Sequence, residues 1–525
     1  VLLLAIGVDY GLHVVLRIRE EMQNLDSQDS IERKTLKDFS HEARKIAVSR
    51  GTVLTSIALV IAIFTDMVGF LSFRFSALSF LQVFGTVIAI GLFVVYLLSI
   101  TALPALMLMF PPKRLALSKA SNLSIGRISS AIGRLSTQPV KVGVIALLLL
   151  TPMYFGFQQL EVGFDQRDQL DQDIPVVGDF LMLSDDFQSS RSPLYLVVDA
   201  DVISHEGRMT WNAAEAMLLQ SEDVNGVPNG LWNLLAEAQG RDPVLNALMT
   251  DLDASTPASY QALSDYLLEN STGRQLTSAV LSSNGQQTVL SFQAETLDWQ
   301  ATIDLYDRLI LALQNTEDSL DDDATLRIGG RSLIVAQTSA NVAESAVIST
   351  SVVAFVILGM LVGIHTTRQK NFKQGLARGF VSWIPLMMVV GWVYGIMGFT
   401  GYQINAQTVT IGALSLGLGV DYAVHFSVRL EEEVEHNPLA SQEMWVTNAS
   451  ATTGRAMFAA ALTTAGGFSV LNLSALLPLR LFGQAFVVAI TLALLSSLIL
   501  LPAFYTPFLK HDAERFRLTH MEAEE

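Results

Sequence analysis

The chain has 525 residues, half of them hydrophobic, and its mean hydropathy is +0.41. This composition excludes an ordinary water-soluble protein and predicts several membrane spans. The absence of cysteine excludes a disulfide framework and a thiolate metal site. The net charge of −17 makes nucleic acid an unfavourable partner.

Apolar segments of spanning length recur along the chain, and the first of them ends near Leu16. The others are predicted at Gly51–Phe73, Ala77–Met109, Val142–Phe157, Ala346–His365, Phe380–Phe399, Val409–Val428, Met457–Leu473 and Phe482–Phe508. Because a helix crosses the hydrocarbon core with about 20 residues, we predict about nine spans, with the first one cut.

A polar region of the chain, residues 158–344, separates the fourth and fifth spans. Three stretches in it are typical of strands, and one is typical of an amphipathic helix. These are residues 194–200, 287–295 and 325–330 for the strands and 298–314 for the helix. Residues 211–270 also favour helix, with breaks at Asn225–Asn229 and Thr256–Pro257. The mixture predicts a separate α+β domain of the split-βαβ kind.

Acidic and basic residues are concentrated in different segments of the chain. The polar region has 30 Asp and Glu against eight Arg and no Lys, whereas residues 111–141 hold six basic residues and no acidic one. The loop 365–378 is also purely basic. By the positive-inside rule, the basic segments face the cytoplasm and the acidic domain is extracytoplasmic. We therefore predict a multi-pass protein of the cytoplasmic membrane.

The membrane part contains a duplicated unit. GVDYGLHVVLRIREE (7–21) matches GVDYAVHFSVRLEEE (419–433) at eight of fifteen positions, and residues 64–85 align with residues 462–483. Leu103-Pro104 aligns with Leu501-Pro502. Two copies in parallel orientation are a known transporter architecture, and by analogy with the second copy we expect about 270 further residues before the first.

These observations give the expected organisation of the chain. Its parts are 1–110, the end of a first transmembrane repeat; 111–141, a basic cytoplasmic linker; 142–157, the first span of a second repeat; 158–344, the extracytoplasmic domain; 345–510, the remaining five spans; and 511–525, a cytoplasmic tail. The predicted fold class is a polytopic α-helical membrane protein with duplicated six-helix units in pseudo-twofold relation, plus an α+β extracytoplasmic domain.

Each copy places a carboxylate inside an apolar span, where such a group is costly and usually functional. If the pseudo-twofold brings Asp9-Tyr10 and Asp421-Tyr422 together, the two carboxyls titrate as a coupled pair. Each tyrosine can donate or accept a hydrogen bond and so hold either form in place. A group that gains and loses a proton inside the membrane can couple a proton gradient to a conformational change.

Several other residues are candidate members of the relay or of its surroundings. His13 and His425 lie one helical turn beyond the aspartates and can extend a proton path, or can instead only cap the bundle. Thr463 and Thr464 are candidate partners of Asp421, although membrane threonines usually bond their own helix. Asp66 takes the place of Thr464 in the first copy and is predicted to lie at an interface. The run 431–436 is predicted to be a solvated face.

The quoted motifs resemble the resistance–nodulation–division (RND) superfamily of exporters. GVDY followed by His and Arg, a later GF…FG block and a closing Leu-Pro are similar to its mycobacterial-membrane-protein-large (MMPL) type. The resemblance implies twelve spans with outer domains after the first and seventh, so that this chain begins at the fourth. It also implies proton-driven export of hydrophobic or amphiphilic, lipid-like molecules, with Asp9, Tyr10, Asp421 and Tyr422 as the relay. The resemblance does not decide whether the chain forms a homo-oligomer.

Two other functions share this architecture. A protein-export auxiliary has six spans per chain and a shorter outer domain, so the duplicated span set speaks against it. A sterol-sensing or receptor-like protein would tolerate loss of the intramembrane carboxylates, and this chain keeps both. An enzyme is not indicated, because the sequence has no P-loop, no HExxH and no nucleophile elbow. We predict no metal and no cofactor.

Overall fold

The computed structural model describes residues 2–28, 39–76, 79–111, 131–162, 175–176, 179, 182, 193–294, 299–318, 324–404 and 408–524. Most of the basic segment 111–141 and the predicted element ends at Ala77, Glu295 and Asp298 lie outside these residues. The chain divides into two compact units, one made of Val1–Gly163 with Asn341–Glu525 and the other of Phe164–Ala340.

The first unit is a helical bundle. Its helices are α1 (Leu2–Gln28), α2 (His41–Leu71), α3 (Ser79–Ile100), α4 (Ala102–Met109) and α5 (Pro139–Gln158). After the second unit come α12 (Arg331–Gln369), α13 (Phe372–Phe399), α14 (Ile411–His436), α15 (Gln442–Ala449), α16 (Arg455–Ser469), α17 (Leu477–Leu495) and α18 (Leu501–Glu524). The numbers α6 to α11 belong to the second unit.

Seven helices in the described part of the chain are long and apolar enough to cross a membrane, and a bent pair within 41–75 makes eight. The sequence predicts about nine spans. The difference is α1, which is 27 residues long but carries Asp9, Arg17 and Arg19 and is too charged to be counted among them. The predicted fifth span is part of the much longer helix α12.

The two copies of the repeat have matching local structure. Helix α2 is followed by one 3₁₀ turn, Ser72–Phe75, and α16 is followed by the equivalent turn, Val470–Leu473. Each turn ends at an extended serine, Ser76 with ψ 143° and Ser474 with ψ 139°. The sequence repeat is therefore also a structural repeat, and the predicted fold class is confirmed.

The second unit is an α+β domain. Its strands are β1 (Leu194–Asp199), β2 (Val224–Asn229), β3 (Gln287–Ala294) and β4 (Thr325–Gly330). Its helices are α6 (His205–Gln220), α7 (Leu231–Gln239), α8 (Pro243–Thr250), α9 (Pro257–Glu269), α10 (Ser271–Thr277) and α11 (Trp299–Glu317). The sheet order is β2-β3-β1-β4, with every neighbouring pair antiparallel. Strand β3 therefore lies between β1 and β2, which is the split-βαβ arrangement.

The core of this domain follows the period of its elements. Alternate residues of β1, beginning at Leu194, are buried, and β3 alternates in the same way. Helix α11 buries Leu305, Leu309 and Leu313, which recur at helical spacing. The sequence predicts a break in the helical pattern at residues 225–229, and the structure has strand β2 there, which the sequence did not predict. That edge strand is mostly exposed and contains Pro228, so it carries no apolar alternation.

Asp242 is the N-cap of α8 and gives the domain a pH-sensitive contact. Its carboxylate accepts the Tyr266 hydroxyl and the backbone amides of Val244 and Leu245. These hydrogen bonds lower the pKa of Asp242, and the contact raises the pKa of Tyr266 to about 12.

We expect Asp242→Asn to destabilise the domain near neutral pH. A carboxyl whose pKa is depressed on folding contributes stability above its unfolded pKa, about 3.9, and loses it as the pH falls through the folded value. The difference between wild type and variant in urea unfolding, followed by circular dichroism, should therefore shrink on acidification. A difference that stays constant down to the acid limb would contradict this assignment.

Candidate functional site

The two repeats meet at their paired histidines. The imidazoles of His13 on α1 and His425 on α14 are stacked, with ring centroids 5.6 Å apart and an interplanar angle of 20°. His13 Nε2 also lies 3.5 Å from Asp9 Oδ1, one turn away on the same helix. The equivalent faces of the two copies are therefore in direct contact.

The aspartates of both copies lie beside this contact and turn inward. The Asp9 side chain is 15% exposed, and both tyrosines of the Asp-Tyr pairs are buried. Asp421 interacts electrostatically with Asp9, and Tyr422 does so with both aspartates. The four residues that the sequence singles out lie in one region between α1 and α14.

A third carboxyl belongs to this group. The Tyr10 hydroxyl donates a hydrogen bond to Asp66 Oδ2 at 2.6 Å, and Asp66 is only 2% exposed. Asp66 interacts electrostatically with Asp9 and with Asp421. The expectation that Asp66 is an interface residue was wrong, because α2 packs against both α1 and α14 and points this side chain between them.

The two predicted threonine partners of Asp421 make no hydrogen bond to it among the described residues. Thr463 Oγ1 donates to its own helix, to Ala460 O at 2.8 Å and Ala459 O at 3.2 Å. Thr464 is buried, and its hydroxyl has no hydrogen-bond partner among the described residues. Thr65 of α2, the first-copy equivalent of Thr463, is the threonine that interacts with Asp421, but its hydroxyl donates to Ala62 O of its own helix at 2.6 Å. The cause is packing: α14 lies against the helix that carries Asp66.

No cation neutralises the three carboxyls within the described residues. Among the described side chains, His13 is the only basic one at salt-bridge distance from these carboxyls, and of the three carboxyls it reaches Asp9 alone. No group of three or more acidic or histidine side chains in the described ranges is arranged to hold a metal ion. Three carboxylates cannot all stay ionised together in a low-dielectric interior, so the arrangement is suited to binding protons.

A second buried polar cluster lies within the second copy, and sequence reasoning missed it. Arg378 of α13 is completely buried and donates to Glu431 Oε1 at 2.9 Å. The same guanidinium donates to both oxygens of Asp512, at 2.8 Å each. Arg368 of α12 contacts Glu431 from the other side at 3.0 Å. The prediction that the whole run 431–436 is solvated was wrong for Glu431.

A tyrosine, a histidine and a serine complete this second cluster. The Tyr505 hydroxyl donates to Glu431 Oε1 at 2.7 Å and lies 3.2 Å from His365 Nδ1. His365 is 0% exposed, and its other ring nitrogen lies 3.4 Å from Ser382 Oγ. The cluster joins α12, α13, α14 and α18, with two arginines facing two carboxylates. The two arginines compensate the charges of the two carboxylates, so this network is assigned a structural role. In this it differs from the carboxyl site.

A duplicated helical bundle with an inserted split-βαβ domain is the RND fold. The structure of the hedgehog release protein Disp from the water bear Hypsibius dujardini has the same fold, with a TM-score of 0.62 over 96% of this chain and 12% sequence identity. The fold and its apolar helices define a multi-pass membrane protein.

The chain belongs to the MMPL family, whose sequence pattern it matches over residues 1–123 and 213–508. The membrane protein MJ1562 of Methanocaldococcus jannaschii is 32% identical over 143 residues, which cover 27% of this chain. "Probable transport protein MmpL12" of Mycobacterium tuberculosis is 34% identical over 107 residues, or 20% of this chain. These matches cover 36% of MJ1562, 9% of MmpL12 and 62% of the Disp chain.

Proposed function

We propose that this chain is the proton-coupled part of a secondary transporter that exports hydrophobic or amphiphilic, lipid-like molecules across the cytoplasmic membrane. Asp9, Tyr10, Asp421 and Tyr422 form the proton relay, in which the aspartates gain and lose the protons and the tyrosines hold them by hydrogen bonds. The 158–344 domain lies on the extracytoplasmic side. The observation that carries the proposal is the buried contact between the two copies. Three carboxyls lie together there, with no neutralising lysine or arginine among the described residues.

The coupling follows from the position of these groups. Protonation changes the charge between α1, α2 and α14, three of the helices through which the two repeats touch. A ligand shifts a conformational equilibrium only through its different affinity for the two states. A proton bound at this contact is such a ligand, because it removes repulsion that would otherwise separate the copies. His13 and His425 then connect the carboxyls with one side of the membrane.

The apolar substrate class rests on family membership. The MMPL family contains transporters, and MmpL12 is described as a transport protein. The alternatives are a protein-export auxiliary and a receptor-like protein that does not pump. A receptor-like protein needs no proton flux, so the energy source separates it from the leading proposal.

The proposal predicts that a proton ionophore abolishes export in the presence of ATP. We would reconstitute the full-length protein in liposomes, impose a pH gradient and follow translocation of a fluorescent phospholipid analogue by dithionite quenching. The ionophore should reduce translocation to the level of protein-free liposomes, whereas removing ATP should leave it unchanged. Translocation that persists with ionophore and stops without ATP would refute proton coupling.

A further inference from the structure

Asp66 is buried among groups that cannot compensate its charge. The helices packed against α2 are α1, α3, α4 and α14. The first contributes Asp9 and Tyr10 near Asp66, and α14 contributes Asp421. Helices α3 and α4 carry no charged residue. The ionised form of Asp66 therefore faces two further carboxyls and no lysine or arginine within the described part of the bundle.

The contacts of Asp66 link the two copies of the repeat. One carboxyl oxygen, Oδ2, accepts the Tyr10 hydroxyl of α1. The other oxygen, Oδ1, lies against the backbone of α14, where a Cβ added to Gly417 would be 3.4 Å away. Gly417 is one turn before Asp421, so this carboxyl lies beside the stretch of α14 that leads to Asp421. Asp66 thus contacts one tyrosine of the first copy and the aspartate-bearing helix of the second.

The second copy has no such carboxyl. The alignment of residues 64–85 with 462–483 makes Thr464 the equivalent of Asp66, while the Asp-Tyr pair is the same in both copies. Thr464 is also buried, and its hydroxyl makes no hydrogen bond in the described structure. A neutral side chain therefore serves at this position of the fold, and the carboxyl of the first copy is an addition to the symmetric pair.

We propose that Asp66 is a third proton-carrying group, present in the first repeat only, so that the site binds one proton more than two symmetric aspartates would. This inference rests on the proposed function. Uptake adds one proton from water to the Asp66 carboxylate, and release returns it to water. Tyr10 keeps its own proton throughout, since its hydroxyl donates to Oδ2 in either state while Oδ1 takes the added proton.

The test is infrared spectroscopy of the full-length protein in lipid bilayers, titrated with pH. A protonated carboxyl has a C=O stretching band that its carboxylate lacks. Asp66→Asn removes this group but keeps an oxygen for Tyr10, and Asp66→Thr gives the first copy the side chain of the second. The matched control is Asp265→Asn, which changes an exposed carboxylate on α9.

We expect the spectrum of wild type minus Asp66→Asn to contain a pH-dependent protonated-carboxyl band, and Asp66→Thr to give the same band. The integrated intensity of this band should correspond to one carboxyl group. It should therefore equal the band intensity that is lost in Asp9→Asn or in Asp421→Asn. No band in either Asp66 difference spectrum, with correctly inserted variants, would overturn the proposal. The measurement needs no transported substrate, so export that ignores the ionophore would refute the proposed function without affecting this result.

Discussion

Replacing Asp421 by Asn is expected to reduce proton-driven translocation to the level of protein-free liposomes. Asparagine has nearly the same shape and still hydrogen-bonds, but it cannot take up a proton. Asp9→Asn should have the same effect, because the two groups act as one coupled site and neither copy suffices alone. The measurement is phospholipid-analogue translocation under a pH gradient, with membrane insertion checked by protease protection.

The control for this prediction is a carboxylate outside the carboxyl site. Asp265→Asn removes an exposed charge of the second unit whose hydrogen bond is to Gln261, and it should leave translocation unchanged. If Asp421→Asn and Asp9→Asn both insert normally and still transport at the wild-type rate, the two aspartates are structural and the relay is wrong.

Replacing Arg378 by Met is expected to cause the largest loss of stability of any single substitution considered. The long apolar side chain fills similar space, but Glu431 and Asp512 lose their shared guanidinium. Removing one partner of a buried ion pair costs about 3–5 kcal/mol, since the remaining charge is left uncompensated. Here that charge is Asp512, because Glu431 keeps its contact with Arg368. The measurement is thermal unfolding in detergent followed by tryptophan fluorescence.

Two further variants separate charge from packing at Arg378. The triple variant Arg378→Met, Glu431→Gln, Asp512→Asn should recover much of the lost stability, because it leaves no unpaired buried charge. Arg241→Met breaks an exposed pair with Glu237 and should cost at most about 1 kcal/mol. An Arg378→Met effect as small as that of Arg241→Met would show that the buried network contributes nothing measurable.

Much of the fold follows from the sequence because its patterns are simple. Alternating apolar residues in β1 and β3 give buried strands, and uninterrupted apolar runs give the spanning helices. Edge strand β2 has neither pattern, so only the sheet reveals it. Its pairing with β3 depends on residues about 70 positions further along the chain, which no local window includes.

The carboxyl site was predictable only where the two copies agree. The repeated Asp-Tyr-x-x-His pattern marks Asp9 and Asp421 as members of one site. Asp66 has a threonine at the equivalent position, so comparison of the copies argued against it. Glu431 has Arg19 as its equivalent and stands in an acidic run, which is typical of a solvated face. Both residues acquire their environments from helices distant in sequence, through Tyr10 and Arg378 respectively.

The contact between the two copies can be tested directly, since this chain contains no cysteine. The double variant His13→Cys, His425→Cys places thiols where the two imidazoles stack 5.6 Å apart. Ser76→Cys with Ser345→Cys, whose hydroxyls lie 2.8 Å apart, is the positive control, and His13→Cys with His436→Cys is the negative one.

In native membranes, a short bis-methanethiosulfonate should cross-link positions 13 and 425 as readily as positions 76 and 345. That result would place both Asp-Tyr pairs in one buried site between the repeats. Cross-linking of the Ser76 and Ser345 pair without any at 13 and 425 would contradict a shared site for proton binding.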